Sequence, residues 1–152
     1  MATNARNPWQ TQDPAFCTRV LGSDPRTFKA KLPELASVTI DLALNSVTGT
    51  KVRVHSLYLS EKNPQMRAHF GTCEACFADA LDALRLAPRN LKHGEYAELN
   101  IVGTSVFDDG LRCENSFKPP SQSPLRNENN DSKRFGDIIV AIANSLENQH
   151  KI

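Results

Sequence analysis

Cys73-Glu74-Ala75-Cys76 sets two thiols one helical turn apart, a spacing that serves redox chemistry, zinc binding or disulfide formation. A thioredoxin-like redox site needs a strand just before the pair and a βαβ setting, but Pro64–Thr72 reads as the start of a helix. Zinc has the better geometry. His69, Cys73 and Cys76 fall at i, i+4 and i+7 on one helical face, with Cys113 as a fourth ligand, although a second Cys-x-x-Cys or His-x-x-x-His is missing. The third chemistry is a bridge between helices. Cys73 lies in the apolar stripe Met66, Phe70, Phe77, Leu81, Leu84; Cys113 lies in a second, Tyr96, Leu99, Gly103, Val106, Gly110, Phe117. Both stripes advance in steps of three and four, the mark of a helix that buries one face. A cysteine in each buried face favours a Cys73–Cys113 pairing, with Cys76 as a small buried or half-buried thiol.

No other constellation carries catalysis. The four histidines, His55, His69, His93 and His150, are scattered and none sits in a nucleophile motif. Gly94 and Gly110 belong to no phosphate-cradling pattern. The chain reads as a non-enzyme without a cofactor.

The elements that hold these residues are helices. Lys51–Val54 alternates like a strand, but Leu35, Val38, Ile40, Leu42, Leu44, Val47, Val54 and Tyr58 carry a helical stripe through it, predicting one helix over Leu32–Ser60, softest at Gly49. Asn63-Pro64 caps and opens the next, running to about Lys92, with Pro88 expected to kink it or end it a turn early. His93-Gly94 is a stop signal. A third helix spans Glu95 to Phe117, Ser121–Asn130 reads as a polar loop, and a fourth covers Asp131–Glu147 with Phe135, Ile138, Ile139, Ile142 and Leu146 inward. Asp13–Gly22, with Phe16, Cys17, Val20 and Leu21, forms a short element before them. Short connections make neighbouring helices antiparallel, so the fold class is all-α, an up-and-down four-helix bundle. Residues 1–30 read as a polar N-terminus with a short helical element, which the resemblance given below makes the remnant of a helical hairpin, 31–148 as the bundle and 149–152 as a tail.

With 152 residues the chain can bury a core in one domain. Lys+Arg 18 against Asp+Glu 17 offers no basic face for nucleic acid or an anionic membrane. No apolar run approaches the roughly 18 residues of a membrane span. Met1 to Gln12 lacks the apolar core of a signal peptide, so the sequence reads as cytosolic or as a form lacking its targeting segment.

Several ordered segments carry a resemblance: Asp13-Pro14-Ala15-Phe16-Cys17, Leu21-Gly22-Ser23-Asp24-Pro25-Arg26, Thr72-Cys73, Phe77-Ala78-Asp79-Ala80-Leu81-Asp82-Ala83-Leu84, Gly94-Glu95-Tyr96 and Cys113-Glu114-Asn115-Ser116-Phe117. Together they resemble the plant invertase and pectin methylesterase inhibitor family. The tail from Ser123-Pro124-Leu125 through Phe135, Ile138, Ile142 and Leu146 is similar to its pollen-type members. The resemblance implies a bundle preceded by a helical hairpin, located in the cell wall or vacuole, with a disulfide on Cys73 and Cys113. It also implies a hairpin disulfide. Cys17 stands at the second of those positions, but Pro8 occupies the first, and Cys76 is extra to the pattern. Cys17 and Cys76 are therefore the two left over, and a route to a dimer.

The function so implied is inhibition of a carbohydrate-active enzyme by docking across its cleft. Invertase inhibitors of the family carry a Pro-Lys-Phe turn before the third helix; here Lys92-His93-Gly94-Glu95-Tyr96 stands in its place, which favours pectin methylesterase over acid invertase as the partner. The candidate contacts are Asp79, Asp82, Glu95, Tyr96, Thr104 and Ser105, each weighed against a plain solvated or packing role. A metal- or lipid-binding bundle is the alternative of another class. Asn130-Asp131-Ser132 is a glycosylation sequon placed at the fourth helix's N-terminus, where Asn130 would otherwise serve as a cap.

Overall fold

A computed structural model describes residues 11, 13–27, 31–119 and 123–150. Five α-helices follow in order: α1 (Pro14–Gly22), α2 (Leu32–Ser60), α3 (Pro64–Lys92), α4 (Tyr96–Ser116) and α5 (Arg126–His150), with a 3-10 turn at Pro25–Thr27. Packing of α2 on α3, α3 on α4, α4 on α5 and α5 back on α2 closes a four-helix ring. Cross-helix pairs show that neighbours are antiparallel. His55 meets Glu74 at 2.7 Å, while Cys73 meets Cys113 and Asp79 meets Arg112; on the next seam Asn100 meets Asn144 at 2.7 Å and Glu114 meets Lys133 at 2.6 Å. Partner numbers rise along one helix as they fall along the other. The expected all-α bundle is therefore the observed fold.

Local chemistry explains the helix ends. Asn63 Oδ1 accepts from the amides of Gln65 and Met66 at 3.0 and 3.1 Å, with Pro64 at the first position, where no amide hydrogen is needed. Gly94 adopts φ +69 after α3, which lets the Glu95 amide reach back to the Asn90 carbonyl at 2.8 Å. Two boundaries differ from expectation. Pro88 does not end α3 early, because the helix continues to Lys92: the proline ring lies on the exposed side, and burial of Leu84 and Ala87 outweighs one missing hydrogen bond. The last helix begins at Arg126 rather than Asp131, so Asn130 lies within α5 and is not its cap. Ser123 starts that extra turn by accepting the Leu125 amide at 3.1 Å, Leu125 is fully buried, and Glu128 pairs with Arg53 of α2.

The core unites the predicted stripes, with Phe70, Phe77, Leu84, Leu99, Val106, Ile138, Ile139 and Ile142 at most 2 % exposed. At the α4–α5 seam the backbones touch. A Cβ on Gly103 would sit 2.8 Å from the Gly136 carbonyl oxygen, and one on Gly136 would sit 2.5 Å from that of Gly103. Beside them the Ser132 hydroxyl donates to the Val106 carbonyl at 2.9 Å. Gly49, by contrast, faces open space in mid-helix.

These two environments give opposite outcomes for one chemical change. Gly136→Ala should lower stability by about 1–3 kcal/mol, since backbone cannot yield to the new methyl. Gly49→Ala should raise it by about 0.5–1 kcal/mol through helix propensity alone. Urea denaturation midpoints of the two variants check the pair; equal shifts would mean that the close seam is not a constraint.

Candidate functional site

The seam between α3 and α4 brings together most of the chemically marked residues. Cys73 and Cys113 form a disulfide across it, closing a sequence separation of 40. That bond removes two of the four ligands a zinc site would have used, and the His69 ring packs on Phe117 with centroids 5.1 Å apart. Among the described residues no group of three His, Cys, Asp or Glu side chains converges to hold a metal. Cys76 is buried one turn along α3, and burial pushes its thiol pKa up, partly offset by Arg112 nearby. Cys17 is wholly buried on α1; burial, followed by the charge of Asp137, pushes its thiol up to about 11.

Next to Cys76 lies a small charged cluster. Arg112 Nη2 donates to Asp109 Oδ1 at 2.6 Å within α4 and to Asp79 Oδ2 at 3.2 Å across the seam. Asp109 is 6 % exposed. Its carboxyl is raised above 3.8 because desolvation outweighs the Arg112 hydrogen bond, with Asp79 and Asp108 adding repulsion. Asp79 itself is exposed and is held by Arg112. Asp82 is also exposed, but its partner is Arg85 of its own helix at 3.4 Å, so the structure separates the two aspartates.

The remaining sequence candidates occupy other parts of the same helices. Glu95 stands at the N-cap of α4 with no side-chain capping bond, and Tyr96 is half-buried against the core. Thr104 is exposed and Ser105 half-buried on α4. Thr104 shares its helix side with Ile101, Asp108 and Leu111, at steps of three and four. Ile101 is 63 % exposed and Leu111 36 %, large apolar side chains in water. Sequence reasoning passed over both. The signal was there: each sits outside the phase of the buried α4 stripe. Asn130 is half-buried in α5 and not in an exposed loop.

The profile of the plant invertase/pectin methylesterase inhibitor family matches residues 6–142. The chain belongs to that family. Its members are inhibitor proteins rather than enzymes. A pectinesterase inhibitor from Actinidia deliciosa is 34 % identical over 139 residues, spanning 90 % of this chain and 75 % of the relative. A Platanus orientalis protein named "Putative invertase inhibitor" is 28 % identical over 133 residues, covering 86 % of this chain and 78 % of its own. A crystal structure of a mutant form of a pectin methylesterase inhibitor from Arabidopsis superposes with TM-score 0.81 at 21 % identity, over 90 % of this chain and 92 % of that one. At that identity the last match speaks for the bundle fold alone.

Two outcomes follow from the seam of this inhibitor-family bundle. Removing the bridge by Cys73→Ser with Cys113→Ser should cost about 4 kcal/mol on the chain-entropy account of a loop this long. Denaturation of the double variant beside the parent measures it; a loss under about 1 kcal/mol would contradict that account. Asp109 holds its proton more tightly in the folded chain than in the unfolded one. Its contribution to stability is therefore greatest below 3.8 and is lost as pH rises through the raised value. Asp109→Asn has no such loss, so its stability relative to the parent should climb as pH rises from about 3 to about 7. A pH-independent difference in urea midpoint would show that Asp109 is not the group responsible.

Proposed function

We propose that this chain inhibits pectin methylesterase, docking 1:1 over the enzyme's cleft through the outer side of α3 and α4. The observation that carries the docking face is the stripe Ile101, Thr104, Asp108, Leu111 on α4, flanked by Asp79 and Arg112. Exposed apolar side chains with a charged border suit the centre and rim of a protein interface. A helix already fixed by a disulfide and a close seam loses little freedom on binding. Asp82, Glu95, Tyr96 and Ser105 contribute less, since Tyr96 and Ser105 are half-buried and, among the described residues, neither Asp82 nor Glu95 is fixed from a second helix by a side-chain bond.

The name of the Actinidia relative supports pectin methylesterase as the target. So does Lys92-His93-Gly94-Glu95-Tyr96 in place of the Pro-Lys-Phe turn. The Platanus name favours acid invertase as the second reading, at lower identity. The inhibitor acts outside the cell, in the wall, or in the vacuole. A disulfide bridge between copies through Cys17 or Cys76 would first have to open the packing that buries both.

Assayed against a panel of pectin methylesterases and acid invertases, the chain should inhibit the former at one molecule per enzyme. Ile101→Asp should weaken that inhibition at least about tenfold, near 1.4 kcal/mol, while leaving the unfolding midpoint almost unmoved because the side chain is exposed. Inhibition confined to invertase would transfer the function to the second reading. Full potency in Ile101→Asp would move the docking face elsewhere.

A further inference from the structure

Asn130 is at odds with its surroundings. Asparagine is a weak helix former, yet Asn130 lies inside α5, and no described residue bonds to its side-chain amide. Two residues on, Ser132 has a clear task, donating to the Val106 carbonyl at 2.9 Å. Asn130 is instead half-buried on the wall of an open cleft of about 230 Å³ between α1, α4 and α5. Asp13, Phe107, Lys133, Arg134 and Asp137 complete the lining.

The chemistry of this cleft selects a class of occupant. Lys133 is paired with Glu114 at 2.6 Å, and Arg134 with Asp13 at 2.8 Å. Both cations are therefore compensated within the protein, which disfavours a free anion and suits a neutral, hydroxylated ring. Phe107 provides an apolar wall for the C–H face of such a ring. The volume is below the roughly 300 Å³ at which drug-sized sites begin, enough for one ring rather than a chain of them. Asn130-Asp131-Ser132 is the single Asn-x-Ser/Thr sequon in the sequence, and its acceptor residue lines this space.

We propose that Asn130 carries an N-linked glycan whose first sugar lies in this cleft, against Phe107 and between α5 and the start of α1. Attachment takes place on the unfolded chain in the secretory lumen. Asn130 Nδ2 attacks the anomeric carbon of a lipid-diphosphate-linked oligosaccharide. The carbon–oxygen bond to the diphosphate breaks, the lipid diphosphate leaves with that electron pair, and the amide proton passes to a base of the transferase. Ser132 is then exposed for recognition and turns to the Val106 carbonyl only on folding. Burial of its hydroxyl in the folded chain is thus no obstacle. The attached sugar contacts the segment that holds Asp13 and so ties α1 to α5.

The inference relies on passage through the secretory pathway, not on the identity of the inhibited enzyme, so its test reads mass and exchange rather than inhibition. The full chain is expressed behind a secretory leader in plant cells and its intact mass is taken before and after peptide N-glycosidase. The expected result is one glycan, lost on enzyme treatment with Asn130 converted to Asp, absent from Asn130→Gln and retained in Ser132→Thr. Amide hydrogen exchange over Pro14–Gly22 should be about threefold slower or more in the glycosylated chain than in Asn130→Gln. A secreted chain whose Asn130 peptide is unmodified overturns the site. A glycan that leaves exchange in α1 unchanged, or speeds it, overturns the seat in the cleft.

Discussion

Contact between the backbones of α4 and α5 at Gly103 and Gly136 is the constraint on which the rest of the bundle depends. No side chain larger than hydrogen fits at either position, because the facing atoms are carbonyl oxygen and amide nitrogen of the other helix. Backbone does not yield as a flexible side chain does, so the seam has one register. That register sets Ser132 under the Val106 carbonyl, Asn100 beside Asn144 and Glu114 beside Lys133. On its opposite flank α4 is joined to α3 by the Cys73–Cys113 bond. A helix held by packing on one side and covalently on the other cannot roll, and its third side, with Ile101 and Leu111, keeps a fixed direction toward solvent.

The charged cluster at the α3–α4 seam is a consequence of that placement. Asp109 belongs to the buried side of α4 and Arg112 to its edge, so the guanidinium spans the boundary between the core and water. Its 2.6 Å bond to Asp109 prevents that carboxylate from being buried alone, a state that would be costly in so dry a setting. The longer bond to Asp79 is exposed at both ends and adds little stability. What it does is orient: Asp79 is the one candidate aspartate fixed from a second helix, whereas Asp82 answers only to its own.

Helix identity, the facing stripes and the bridged cysteines were all legible in the sequence, because burial of one helix face leaves a period that needs no tertiary knowledge. Pro88 and the start of α5 were not. Propensity counts against a proline and against Arg-Asn-Glu-Asn-Asn, but tertiary contacts decided both, through Leu84 and Ala87 in one case and Leu125 and Glu128 in the other. The glycines of the α4–α5 seam read as members of an apolar stripe or as blanks; their role exists only once the second helix is in place. Ile101 and Leu111 could have been found from their phase, while the burial of Asp109 could not, since an aspartate in that stripe looks like an interruption until Arg112 is seen to reach it.

The N-terminal element shows how far non-covalent anchors suffice where the family pattern calls for a staple. The first hairpin position, Pro8, lies outside the described residues, but α1 has its own attachments to the bundle. Phe16 meets Phe135 edge-on at 5.3 Å and lies beneath the guanidinium of Arg134, which also binds Asp13. Leu21 and Cys17 are fully buried, and Arg26 reaches Asp41 of α2 at 2.7 Å. Burying a side chain such as Phe or Leu contributes about 1.5–3 kcal/mol, so Phe16 and Leu21 together rival the roughly 2–4 kcal/mol typical of a disulfide. These contacts act on the folded state, whereas a staple acts mainly by restricting the unfolded one. Detaching the element therefore costs the burial of Phe16 and Leu21 in full, and any group that enters the space between Asp13 and α5 acts on that balance directly.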